Sequence, residues 1–304
     1  MDALRRKSLK MSVPGYDVLS MAGQEFSVDT ETDKIKAMSP KEYEQRKADA
    51  YNASTGSLHL ADGYECELCK NKGYIATVQG PEPFGYYSET LTPCKCQRAR
   101  KALLRLYRSG LKNSVKSCTF DKYEAAEPWQ QTIKDAARRF VSDKENNWFY
   151  IGGQSGAGKT HLCTAITVDY IRKGYEARYM LWRDEISAIK ADINDPATAE
   201  TIKGLKEAPV LYIDDLFKMG KDADGRVKMP TASDINIAFE IINYRYNNPD
   251  FVTIISSERT LSELLNIDEA VAGRIAEKAK VNGYCINLKK DPSRNYRMKG
   301  IEEL

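Results

Sequence analysis

Residues Gly153-Gln154-Ser155-Gly156-Ala157-Gly158-Lys159-Thr160 carry the spacing G-x-x-x-x-G-K-[ST] without a mismatch. Glycines at the fixed positions let the chain curl so that several main-chain N–H groups converge on one phosphate, and a following helix adds its positive end. Lys159 would neutralise the β- and γ-phosphates of a nucleotide, and the Thr160 hydroxyl would ligate Mg2+. His161 comes next and counts with the loop among the expected nucleotide-binding residues. A second cluster, Val210-Leu211-Tyr212-Ile213-Asp214-Asp215, delivers two carboxylates at the end of an apolar run. Asp214 is the expected Mg2+ partner, and Asp215 the group that polarises an attacking water. Aspartate after a strand is also a common turn residue, so the pair gains its meaning from the phosphate loop. The chemistry implied is binding of ATP or ADP with Mg2+ and hydrolysis of ATP to ADP and phosphate.

Four cysteines form a third cluster. Cys66-x-x-Cys69 and Cys94-x-Cys96 are separated by 24 residues and can bring four thiolates to one tetrahedral Zn2+. The alternatives are a redox pair or unliganded thiols, but no thioredoxin-like setting surrounds them. No acid–base pair accompanies them, so the zinc is expected to be structural. His59 is a weaker candidate ligand. Cys118, Cys163 and Cys285 are scattered and read as small buried hydrophobes.

The elements that must position these residues divide at about residue 112. Residues 1–112 are expected to form an N-terminal module. It includes a helix from Pro40, with Ser39 and Glu42 completing a capping box. A loop or hairpin over Gly80–Tyr87 and a helix over 97–110 complete it. From Gln97 to Lys116 this region holds Arg98, Arg100, Lys101, Arg105, Arg108, Lys112 and Lys116 and no acid, either a solvated face or a phosphate-contacting one. Residues 113–304 alternate strand and helix, the mark of a parallel sheet covered by helices. Strands are expected at 148–152, 177–182, 209–213, 251–256 and 284–288, and helices at 159–173, 183–193 and 235–246. Net charge is +3, with 42% hydrophobic and 29% charged residues, a globular composition. No apolar run reaches the roughly 20 residues of a membrane span, and no apolar core follows the basic N-terminus, so no membrane association and a cytoplasmic location are expected.

The segments FEIINYRYNN, VTIISSERTLSELL, DEAVAGRI and RNYR, with the phosphate loop and Ile213-Asp214-Asp215, resemble the DnaC/DnaI-type replicative helicase loaders, which are AAA+ ATPases. The likeness covers about residues 117–304 and weakly includes the cysteine module. It implies an AAA+ P-loop parallel sheet covered by helices, with a small N-terminal helical and zinc-binding module. The chain stops seven residues after Arg297, so no separate helical lid is expected. The resemblance puts Ser257 and Glu258 at the residue that orients water near the γ-phosphate. Arg274 falls at the arginine finger that reaches a neighbouring subunit's nucleotide, and Arg297 at a second phosphate-sensing arginine. Phe120, in Thr119–Tyr123, falls in the segment that packs on adenine. Taken singly, both arginines read as surface residues. Asp215 stands where these enzymes usually have Glu, and Glu258 where they have Asn or Asp; both departures imply slow, partner-stimulated turnover.

The function implied is an ATP-dependent loader. It would grip a DnaB-type helicase through the N-terminal module, self-assemble through the ATPase domain and deliver the helicase onto single-stranded DNA. The loop Phe217–Lys228, with Lys218, Lys221, Arg226 and Lys228, is expected either to couple nucleotide state to DNA or helicase contact or to be a solvated loop. Two other functions fit: an IstB-type transposition helper ATPase acting on duplex DNA, and a nucleotide-binding adaptor or helicase inhibitor with little hydrolysis.

Overall fold

The computed structural model describes residues 38–81, 85–107, 115 and 117–298, without the side chain of Arg105. The expected boundary near 112 lies outside the described residues, as do the basic side chains of Arg108, Lys112 and Lys116.

Helix α1 (Pro40–Ala53) starts as its sequence requires: Ser39 N–H donates to Glu42 Oε2 at 2.9 Å, and the Ser39 hydroxyl accepts from Glu42 N–H at 3.3 Å. After a short α2 (Leu58–Asp62), strands β1 (Tyr74–Gln79) and β2 (Ser88–Pro93) pair as an antiparallel hairpin. Asn52 clamps α1 to this hairpin, exchanging two hydrogen bonds with the main chain of Ala76 at 2.8 and 3.0 Å. Helix α3 (Cys96–Leu106) follows. Its buried face, Ala99, Ala102, Leu103 and Leu106, sits in the same core as Ile166 and Val168 of the larger α/β unit. The module and the α/β unit therefore share one core.

The α/β unit runs α4 (Pro128–Ser142), β3 (Trp148–Gly153), α5 (Lys159–Arg172), β4 (Ala177–Leu181), α6 (Trp182–Ala191), α7 (Pro196–Lys206), β5 (Val210–Asp214), α8 (Ala232–Tyr246), β6 (Val252–Ser257), α9 (Leu261–Leu265), α10 (Glu269–Ala279) and β7 (Cys285–Leu288). The strands form one parallel sheet in the order β4-β5-β6-β3-β7. Parallel strands covered on both faces read as continuous apolar runs, and β3 (WFYIGG), β5 and β6 are buried throughout. Side chains alternate between faces: Phe149 and Ile151 join α4 and α5, while Trp148 and Tyr150 join α6, α8 and α10. Each fully buried large apolar side chain contributes roughly 1.5–3 kcal/mol. Among the described residues no helix is long and apolar enough to cross a membrane.

Five helices, α2, α4, α7, α9 and α10, have no counterpart among those expected, and two of them, α4 and α7, carry a plain start signal. Both begin with proline at the first turn, behind caps from Glu127 and Asp195. The strand expected to end at Trp182 stops at Leu181, because Trp182 turns inward to start α6 and meets Phe217 edge-on at 5.2 Å.

Among the described residues one arginine lies wholly inside. Arg245 of α8 is 0% exposed. It donates to the carbonyls of Leu205, Lys206, Ala208 and Val252 at 2.6–3.2 Å and to the Thr253 hydroxyl at 2.9 Å. The guanidinium thus gathers the end of α7, the start of β6 and α8. Arg245→Ala would strand four carbonyls in the interior, and we expect it to lower stability by about 3 kcal/mol in a urea titration. A loss below about 1 kcal/mol would contradict this role.

Candidate nucleotide site and cysteine cluster

All three central strands end at the same edge of the sheet, and the residues following them face one cavity of 440 Å3. The loop after β3 contributes Ser155 to Lys159, and α5 adds Thr160 and His161; Asp215 and Lys218 follow β5, and Glu258 follows β6. Strand ends at a point where chain order reverses are where open α/β sheets bind ligands. The loop is bound tightly to its surroundings. At Gly153 (φ 109°) an added Cβ would lie 1.9 Å from Leu288 O, and at Gly156 (φ 74°) 1.9 Å from Asn295 Oδ1. Only glycine fits either position. Gly153 and Gln154 themselves do not line the cavity; their carbonyls accept from Lys159 Nζ at 2.9 and 2.7 Å. Burial pushes the Lys159 ammonium below its ordinary range, against the opposing pull of Asp215 and Glu258.

Asp214 is 4% exposed. Its carboxylate accepts from Tyr212 Oη at 2.7 Å, Tyr179 Oη at 3.0 Å, Thr160 Oγ1 at 3.3 Å and the Ser256 hydroxyl. Thr160 and Asp214 thus converge as a Mg2+ site needs, one as a direct ligand and one behind it. Asp215 lies beyond, in a left-handed conformation (φ 57°). Its Oδ2 is 2.8 Å from Lys218 Nζ, and the same ammonium is 2.9 Å from Glu258 Oε1. Burial pushes the Asp215 carboxyl up despite that cation. For Glu258 burial acts in the same sense, but Lys218, Ser155 and Lys159 outweigh it and hold the carboxyl below its ordinary value. Asp215 is the more enclosed of the two and feels Asp214, so the opposite directions have a physical cause.

The far end of the cavity is formed by Cys118, Lys122, Tyr123, Glu124, Gln130, His161 and Tyr296. The Tyr123 hydroxyl is buried without a hydrogen-bond partner beside Gly158, an orphan that a bound nucleotide could satisfy. His161 Nε2 lies 2.8 Å from Thr119 O; a carbonyl only accepts, so this nitrogen carries the proton. Phe120, expected against adenine, does not line this cavity. It packs against the core with Arg138 over its ring at 5.8 Å, because the turn at 119–122 carries Tyr123 inward in its place. Ser257 is likewise turned away, donating to Leu216 O at 2.8 Å.

The two arginines separate. Arg297 lines the cavity from a tail that crosses the loop, where Tyr296 N–H donates to Gly156 O at 3.0 Å. Arg274, on α10, does not. It donates to Asn243 Oδ1 and Ala270 O, each at 2.9 Å, and lies over the rings of Phe239 and Tyr246. Lys218 is the residue that spacing alone missed. It was grouped with the basic loop, whereas Lys221, Arg226 and Lys228 are exposed and Lys218 turns into the site.

The four cysteines meet at the base of the hairpin, their sulfurs all within 4.8 Å of one another. The Cys66–Cys94 and Cys69–Cys96 sulfur separations are 3.8 and 3.6 Å. A tetrahedron with Zn–S near 2.3 Å has edges of about 3.8 Å, so the donors fit Zn2+. Gly73 N–H points at Cys69 Sγ from 3.3 Å, the outer-shell bond that steadies a thiolate. A buried Arg100–Asp62 pair and Asn71, which accepts from both Arg100 and Cys66 N–H, brace the cluster. His59 is not among the converging donors.

Residues 90–294 match the family described as IstB-like ATP binding protein. The phage-like element PBSX protein XkdC of Bacillus subtilis (strain 168) is 31% identical over 256 residues, covering 79% of this chain and 89% of that protein. The replicative helicase loader DnaC of Escherichia coli (strain K12) is 28% identical over 123 residues, 39% of this chain and half of DnaC. Among solved structures, the DnaC helicase loader has a TM-score of 0.46 at 22% identity, covering 59% of this chain and 99% of that one.

Lys159→Ala removes a cation able to make two charge-assisted bonds, and we expect it to raise the ATP dissociation constant on the order of 100-fold by calorimetry. For the cysteines, elemental analysis should find one zinc per chain. Cys69→Ser should lose it and melt at a markedly lower temperature; metal-free protein with an unchanged melt would remove the zinc assignment.

Proposed function

The chain belongs to the IstB-like ATP-binding family, and from that premise we propose that it is an ATPase that loads a DnaB-type replicative helicase onto single-stranded DNA. The observation that carries this reading is the division of labour between the two arginines. Around one cavity stand Lys159, Thr160, Asp215, Glu258 and Arg297, with Asp214 buried behind Thr160, while Arg274 sits outside on α10. An arginine held out of its own site can serve a neighbour's, stabilising charge on the transferring phosphoryl group from across an interface. ATP would then join copies, and hydrolysis would release them, which suits a switch better than a housekeeping ATPase.

Within one site each group has a separate task. The loop amides and Lys159 hold the terminal phosphates, and Thr160 with Asp214 would hold Mg2+, which would offset charge on the phosphate oxygens. Asp215 is the candidate to orient water, with Glu258 beside it. Similarity to DnaC supports the helicase as partner. The cysteine module, residues 1–112 in our division, is the proposed gripping surface, and the ATPase unit of residues 113–304 the self-assembling one.

The family's IstB members keep a second reading open, a transposition helper that assembles on duplex DNA. The two part on a single comparison. The loader should co-purify with the replicative helicase in ATP and bind single-stranded DNA at least about tenfold more tightly than duplex; duplex preference without helicase capture would select the helper. Arg274→Ala should cut partner-stimulated hydrolysis at least about 1,000-fold while leaving ATP affinity within about twofold. Absence of any stimulated hydrolysis, unaltered by Arg274→Ala, would point instead to a nucleotide-binding adaptor.

A further inference from the structure

Lys218 bridges two carboxylates in the nucleotide cavity, and its backbone is fixed there by an unusual turn. Asp215 and Phe217 both adopt left-handed angles (φ 57° and 58°), which non-glycine residues rarely accept. Three bonds pin the turn to β6: Asp215 N–H to Ser256 Oγ at 3.1 Å, Leu216 N–H to Ser256 O at 2.9 Å, and Ser257 Oγ to Leu216 O at 2.8 Å. Phe217 is fully buried against Trp182. Strain retained by such anchoring marks a place the fold holds on purpose for a side chain. That side chain is Lys218, 39% exposed and so able to turn where its backbone cannot.

We propose that Lys218 lets this site distinguish a nucleoside triphosphate from a diphosphate, its ammonium leaving Asp215 and Glu258 for the γ-phosphate. The inference rests on the nucleotide-binding reading above. Two carboxylates beside a terminal phosphate repel it, and one ammonium between them is the nearest compensation. A diphosphate ends short of this point and leaves the bridge intact. While bridged, Asp215 has an oxygen committed to Lys218 and is poorly placed to orient water. A γ-phosphate draws the lysine off, and Asp215 becomes available only when there is something to hydrolyse.

The movement has an outlet. From Gly220 the chain forms a small hairpin: Lys228 N–H donates to Gly220 O at 2.9 Å, Lys221 bridges Val227, and Asp222 N–H donates to Arg226 O at 2.9 Å. Its far strand exposes Val227 and Met229, 60% and 57% accessible. Lys218 is two residues from the base of this hairpin, so a change of partner at its ammonium would occur beside an exposed surface.

The test uses the full chain with Mg2+ and either ADP or a non-hydrolysable ATP analogue. Lys218→Met should weaken the analogue about tenfold and ADP less than about twofold by calorimetry, with Lys218→Arg recovering most of the loss. In the wild type, amide hydrogen exchange over 219–229 should change with the analogue and not with ADP. An equal effect of Lys218→Met on both nucleotides, or none, overturns the proposal. Should that variant fail to fold, identical wild-type exchange with the two nucleotides overturns it equally. If the wild type binds neither nucleotide, the function proposed above falls as well, which separates the two failures.

Discussion

A carboxylate shut inside the protein with no cation of its own is the constraint that organises this molecule. Asp214 gathers hydroxyls from β4 (Tyr179), β5 (Tyr212), β6 (Ser256) and α5 (Thr160). An ionised group so deeply placed is costly unless bonded on every side. Four neutral donors meet its hydrogen-bonding demand but leave its charge uncompensated, and a divalent metal beside Thr160 would supply the missing positive charge. The strand order, Ser256 near the end of β6 and the aromatic hydroxyls on β4 and β5 all serve that one atom group. Sheet and site are therefore a single design.

Much of this was legible in sequence because it obeys local rules. The five strands are short apolar runs, and the phosphate loop stands between one of them and a helix, so fold and loop followed from spacing. Lys159, Thr160, Asp215, Glu258 and Arg297 do meet at one cavity. What escaped depends on long-range packing. Helices α4 and α7 were missed although both begin with proline behind an acidic residue, and α4 also spaces Ile133, Ala136, Ala137, Phe140 and Val141 along one face. Phe120 and Tyr123 are both aromatic in one short turn, and only the turn's geometry decides which faces the nucleotide cavity. Lys218 looked like its basic neighbours because charge patterning cannot show that two left-handed residues swing it inward.

The cysteine module is tied to the α/β unit in a way no linker would allow. Cys96 is the first residue of α3, and the next turns of that helix place Ala99, Ala102, Leu103 and Leu106 in the core beneath the sheet. A rotation at the cysteine end of α3 would thus be felt in the core beneath the sheet. Contacts made on the module have a mechanical route toward the nucleotide, through packed side chains.

The same helix bears on how the chain comes to be. A core that takes one wall from α3 closes only once that helix is set, and its first residue, Cys96, belongs to the cluster that would hold the proposed zinc. With that zinc bound, assembly of the sheet and capture of the metal would become one cooperative event, rather than two modules maturing separately. A nascent chain starved of zinc, or one whose thiols had been oxidised, would leave the apolar face of α3 without its seat and the underside of the sheet open, a state apt to be cleared by proteolysis before it could ever engage a partner.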